Sequence, residues 1–131
     1  MMKLSIAAGV ALLALTSIAS AEGDVAKGEK VFKKCAACHE VGADAKNKVG
    51  PELNGILGRA VASVEGFKYS PAMTEFGAGK VWDEATLSGY LADPKNFVPK
   101  NKMAFVGLKK EDELKDVIAY LAQYNADGSA K

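Results

Sequence analysis

Residues 40–69 constrain the fold of this 131-residue chain more than any other stretch. They contain Gly42, Gly50, Pro51, Gly55, Gly58 and Gly66, broken only by short apolar pairs such as Ile56-Leu57, and read as neither helix nor strand. Residues 94–108, with Pro94, Pro99 and Gly107, read the same way. A structureless run of that length is unusual in a small domain. A disordered linker is one reading, but such segments are poor in the Leu, Ile, Val and Phe scattered here. The other reading is that both loops wrap a large apolar body that is not itself polypeptide.

The segments around these loops are helical. Asp24 is placed to cap a helix through GDVAKGEKVFKKC, with Val25, Gly28, Val31, Phe32 and Cys35 near one face. Ser70-Pro71 reads as the cap and first residue of a short helix stopped by Gly77 and Gly79. Asp83 caps another, with Leu87, Tyr90 and Leu91 as its buried stripe and Pro94 as its stop. The last helix has Glu111, Asp112 and Glu113 at the positive end of its dipole. Leu114, Val117, Ile118 and Leu121 then follow the spacing of one buried face. The expected class is all-α, with about four to five helices and long loops.

The sequence CAACH, residues 35–39, holds both cysteines and the only histidine of the chain. Three chemistries compete for it. A thioredoxin-like dithiol belongs in a βαβ context, which is not visible here. A structural zinc site takes four ligands, and the chain offers three Cys and His residues; a catalytic zinc would need adjacent residues 38 and 39 to reach one ion. Covalent haem attachment uses all three side chains and explains their order, since two thiols at a helix end can each join a vinyl group and the imidazole behind them can ligate iron. With a single histidine, the sixth ligand is left to Met73, Met103, a lysine amine such as Lys100 or Lys102, or an open position. Met103 lies in the second wrapping loop, whereas Met73 lies in a short helix where a core role suffices.

The first residues carry a different signal. Lys3 precedes sixteen uncharged residues, Leu4 to Ala19, and Ala19-Ser20-Ala21 suits cleavage by signal peptidase. The apolar stretch is shorter than the roughly 20 residues a membrane anchor needs. A leader over 1–21, removed after Ala21, leaves a single domain over 22–131 and a periplasmic location. Loss of Lys3 leaves sixteen basic against sixteen acidic residues, and so balanced a surface argues against nucleic-acid binding.

From about Gly23 to Tyr124 the chain resembles the class I cytochromes c, and among them the small bacterial cytochromes c2 related to the mitochondrial protein. The resemblance rests on GDVAKGEKVFKKCAACH, VGPELNGILGR, GFKYS, WDEATLSGYLADP, VPKNKMAF and DVIAYL. It implies one haem c held through thioethers by Cys35 and Cys38, with His39 and Met103 as axial ligands. It also implies that the Pro51 carbonyl orients His39 and that Tyr90 sits near the Met103 sulfur. Arg59, Tyr69 and Trp82 would meet the haem propionates, although each aromatic residue could equally be plain core with a satisfied polar tip. Gly28 and Phe32 would pack against Val117 and Tyr120.

This chain departs from the family pattern beside Met103. The family has Pro-Gly-Thr-Lys-Met where this sequence has Pro99-Lys100-Asn101-Lys102-Met103. The glycine's conformational freedom is lost, and Asn101 must take over any propionate contact of the threonine. The stretch from Tyr69 to Trp82 is also about two residues longer than in the mitochondrial form.

The implied function is single-electron transfer, not enzymatic catalysis. By resemblance a cytochrome bc1 complex is the donor, and a photosynthetic reaction centre or a cytochrome oxidase is the acceptor. Lys33, Lys34, Lys46, Lys48, Lys100, Lys102 and Lys109 fall next to the two ligand segments, a pattern suited to transient docking of a monomer on acidic partners. The plain alternative is a solvated face. Glu111, Asp112, Glu113 and Asp116 are expected to begin a different surface. A haem enzyme or gas sensor with an open sixth position is the rival class, and Met103 discriminates it. The intact mass of the exported protein should equal residues 22–131 plus one haem; a haem-free mass with free or disulfide-linked cysteines would instead indicate a dithiol protein.

Overall fold

The computed structural model describes residues 23–131; the expected leader over 1–21 lies outside the described residues. Five helices follow in chain order: α1 Val25–Phe32, α2 Pro71–Gly77, α3 Glu84–Ala92, α4 Pro94–Phe97 and α5 Glu111–Leu121. Among the described residues the only β pairings are two isolated bridges, Ala60 with Val81 and Tyr124 with Ala130. The class is all-α, as the sequence leads one to expect.

Most helix starts are made by one short side chain. Asp24 accepts from Lys27 N–H at 3.0 Å, Ser70 from Met73 N–H at 3.1 Å and Asp83 from Thr86 N–H at 2.7 Å. Each satisfies one of the N–H groups that a first turn leaves without a partner. The start of α5 has no such side-chain bond and relies on Glu111, Asp112 and Glu113 in its first turn.

Two boundaries differ from the sequence reading. The α-helix from Asp24 ends at Phe32 instead of running on to Cys35. Lys33, Lys34 and Cys35 donate to Lys30, Val31 and Phe32 three residues back, so the helix tightens into turns before the cysteines. Pro94 stops α3 but also opens α4, because a proline lacks the N–H that a first helical residue cannot use. The 94–108 loop therefore begins with one turn of helix. Residues 40–69 do lack helix and strand up to α2.

The terminal helices form the frame. A Cβ on Gly28 would run into the Asp116 carbonyl and lie 2.8 Å from the Tyr120 Cβ. The Phe32 and Tyr120 rings stack tilted at 5.4 Å. Asp24 N–H donates to Asp116 Oδ1 at 2.8 Å and fixes the start of α1 on the same surface. α3 packs against both α5 and α4. Val31, Phe32, Leu87, Tyr90, Val98, Leu108, Val117, Ile118 and Leu121 are buried in one continuous core. Met73 is buried there too, while Met103 packs at its edge. No described helix is long and apolar enough to cross a membrane.

Gly28→Ala should force the terminal helices apart and cost about 3 kcal/mol, at the upper end for an overpacked core. Denaturant unfolding monitored by far-UV dichroism measures it; a stability equal to wild type would show that the crossing can shift freely.

Candidate haem site

The turn after α1 sets the CAACH side chains. Cys38 N–H and His39 N–H both donate to Cys35 O, at 3.0 and 2.9 Å, closing one tight turn over the motif. The next loop is tied back to it: Gly50 N–H donates to Cys38 O and Leu53 N–H to Glu40 O, both at 2.9 Å. That return brings Pro51 O within 2.7 Å of His39 Nδ1. A carbonyl can only accept, so Nδ1 carries the proton and Nε2 keeps its lone pair. A Cβ on Gly50 would strike the imidazole, with Nδ1 at 2.7 Å, so the glycine is the room in which the ring stands.

Burial first, and then the positive charges of Arg59 and Lys48, hold the His39 pKa below its ordinary value; the Pro51 bond opposes them. The ring is therefore neutral at pH 7, the form a metal ligand requires. Burial pushes the Cys35 thiol up to about 11, against the pull of Lys34. Both cysteines are free, and Cys35 is a poor thiolate. Disulfide oxidoreductases depress the pKa of the attacking thiol, so this environment disfavours dithiol chemistry. Among the described residues no group of three or more His, Cys, Asp or Glu side chains is arranged to hold a metal ion.

The second half of the site comes from α3 and the loop after α4. The Tyr90 hydroxyl is 3.8 Å from Met103 Sδ, and burial raises its pKa to about 12, so it stays a phenol. The Trp82 and Phe97 ring centroids lie 5.2 and 6.4 Å from that of Tyr90, and Phe76 packs on both of those rings. Lys100 has φ +69°, so a lysine adopts the left-handed backbone that suits glycine, at about 1–2 kcal/mol. The conformation put in doubt by the missing glycine is kept.

Asn101 is bonded within its own segment. Its Nδ2 donates to Pro94 O and Val98 O, each at 2.8 Å, and its Oδ1 accepts Met103 N–H at 2.7 Å. Both donors are taken up by backbone carbonyls, Pro94 O and Val98 O, where the resemblance implies a propionate contact. Arg59 is held by one nitrogen: Nη1 meets Glu52 O and Asn54 O at 3.0 Å and Glu52 Oε1 at 3.3 Å. The Tyr69 hydroxyl accepts Val64 N–H at 3.0 Å, and burial raises its pKa. Trp82 is buried, and its backbone N–H donates to Arg59 O at 2.9 Å.

Glu52 and Asn54 were not marked out by sequence reasoning. Asn54 bridges both backbone atoms of Gly42 at 2.8 Å and is itself buried. A buried amide closing a loop is a tertiary fact, and no spacing in the sequence signals it.

The cytochrome c family model matches residues 25–125. This chain belongs to the cytochrome c family. It is 57% identical over 105 residues to a cytochrome c-550 of Ancylobacter novellus, covering 79% of this chain and 98% of the relative. It is 47% identical over 123 residues to a cytochrome c2 of Blastochloris viridis, covering 94% and 95%. The solved structure of cytochrome c2 from Rhodospirillum centenum is similar with a TM-score of 0.74 and 45% identity, covering 79% of this chain and 99% of that one. The cytochrome is accordingly an electron carrier with one covalently bound haem c, and not an enzyme.

The residues present fit that group. The two thiols are free, one imidazole nitrogen is available, and the thioether of Met103 stands at the edge of the core. Val41, Leu53, Leu57 and Tyr69 of the first wrapping loop and Phe105 of the second are likewise partly buried against the core. A surface groove of about 330 Å³ between α3 and α5 includes Glu84, Glu111 and Ile118 and shares no residue with the site.

The lysines divide. Lys34 is paired with Glu113 at 2.9 Å, so the acidic start of α5 is not the separate surface that the sequence suggested. Lys48 reaches Glu40 at 3.5 Å and Ala36 O at 3.0 Å. Lys102 donates to Lys68 O at 2.6 Å and Lys109 to Ala92 O at 2.9 Å. Lys33, Lys46 and Lys100 are exposed.

Arg59→Leu should cost about 2–3 kcal/mol. This is less than the loss of one partner from a fully buried pair, because the Arg59 and Glu52 side chains are 15% and 21% exposed. Thermal unfolding checks it, and an unchanged midpoint would mean that water replaces the guanidinium.

Proposed function

We propose that this cytochrome is a periplasmic single-electron shuttle between membrane redox complexes, with residues 1–21 as its leader and 22–131 as a monomeric, single-haem domain. Cys35 and Cys38 are the covalent attachment points, and His39 and Met103 the axial ligands. The observation that carries the reading is that each ligand candidate already has an orienting partner, Pro51 O for His39 and the Tyr90 hydroxyl for Met103. When bound, haem c supplies an iron that accepts and releases one electron, and methionine ligation raises its potential. The chain fixes the ligands so that little has to move between the two oxidation states. His39 is held as a donor to Pro51, which strengthens its free nitrogen as a ligand. Tyr90, kept neutral, offers its hydroxyl toward the thioether. Arg59, Tyr69 and Trp82 stand together as the groups that face the propionates, with Arg59 the permanent cation.

Docking is assigned to Lys33, Lys46, Lys48, Lys100, Lys102 and Lys109. Lys34 contributes when its exposed pair with Glu113 opens, a contact worth no more than about 1 kcal/mol. The chemistry of this face suits acidic partners such as a cytochrome bc1 complex as donor and a photosynthetic reaction centre or cytochrome oxidase as acceptor. Apart from the main carrier, a haem protein open to ligands is the competing reading; the Tyr90–Met103 contact favours the closed one.

The ferric protein should show the weak far-red absorption of methionine–iron ligation, and Met103→Ala should abolish it and lower the potential. Electron transfer to an acidic membrane complex should slow by roughly 10-fold or more from low to high ionic strength. A wild type lacking the band, or rates that stay flat with salt, would remove the ligand assignment or the docking assignment respectively.

A further inference from the structure

The Met103 segment is fastened from inside the protein. Asn101 is the fastening. Its two N–H groups bond Pro94 O and Val98 O at the two ends of the α4 turn, and its oxygen receives the Met103 amide. Asn101 N–H also donates to Val98 O at 3.1 Å, so four hydrogen bonds converge on this one residue. Pro94 and Val98 are among the most deeply buried residues of the chain. Lys100, in its left-handed conformation, makes the reversal that turns the amide inward. A threonine hydroxyl has a single O–H donor, cannot donate to both carbonyls, and so cannot make the same three side-chain bonds. The asparagine is therefore a different solution to holding the loop, and not a substitute for threonine.

We propose that Asn101 is a positioning residue for the Met103 thioether: it anchors the ligand's backbone to α4 while Tyr90, on the neighbouring α3, meets the sulfur. Both anchors refer to the same packed pair of helices, so the ligand is held at backbone and side chain against one body. This rests on the reading of Met103 as an axial ligand. Cutting the Asn101 bonds should let Met103 leave the iron more often and let an external ligand take its place.

Imidazole titration of the ferric holoprotein, followed through the far-red methionine band, tests this. Asn101→Ala should bind imidazole about 10-fold or more tightly than wild type, the scale seen when an outer partner of a ligand is removed. Asn101→Ser keeps an oxygen for the Met103 amide but cannot reach both carbonyls, and should fall between the two. Asp24→Ala removes the cap of α1, which carries none of Asn101, Tyr90 or Met103, and supplies a variant of reduced stability; its imidazole affinity should stay near wild type. Wild-type affinity in both Asn101 variants would overturn the proposal, as would an equal shift in Asp24→Ala. A wild type without the methionine band defeats the ligand assignment itself, and this proposal with it.

Discussion

The contact between Gly28 and the Asp116 carbonyl sets the frame on which everything else hangs. A hydrogen atom in place of a side chain lets α1 and α5 cross at backbone contact, with Phe32 and Tyr120 closing one side. The crossing fixes the direction in which α1 ends, and the chain leaves it directly into the turn that carries Cys35, Cys38 and His39. A wider crossing would move the attachment motif away from the loops that have to meet it.

The site then has two halves built by different means. The histidine half is a loop returning on itself: Gly50 N–H to Cys38 O, and Pro51 O to His39 Nδ1. Its precision comes from backbone bonds and from a glycine that leaves room for the ring. The methionine half hangs on helices, with Tyr90 on α3 and Asn101 tied to α4. The two halves share only the core between them, which suits a carrier that must keep one geometry through a change of charge.

Much of this was legible in the chain. Asp24, Ser70 and Asp83 cap their helices because a side-chain oxygen and an N–H three residues later meet by local geometry alone. The stripe of α5 was legible from its spacing, and CAACH from its composition. What was not legible involves partners far apart or a choice among equal local options. The Lys34–Glu113 pair joins residues 79 apart. Asn101 could have faced solvent or a cofactor as easily as the carbonyls of Pro94 and Val98. Proline 94 reads equally as an end or a beginning, and it is both.

By itself the sequence determined an all-α chain with two long loops, an attachment motif using every cysteine and histidine present, and the methionine in the second loop. These follow from side-chain chemistry and from interactions within a few residues. Only the tertiary structure decided that the imidazole proton sits toward Pro51, that Arg59 is held by Glu52 and Asn54, and that Asn101 grips α4. Those outcomes depend on which distant carbonyl or carboxylate comes within about 3 Å, the range of a hydrogen bond, and only the packed chain sets such distances.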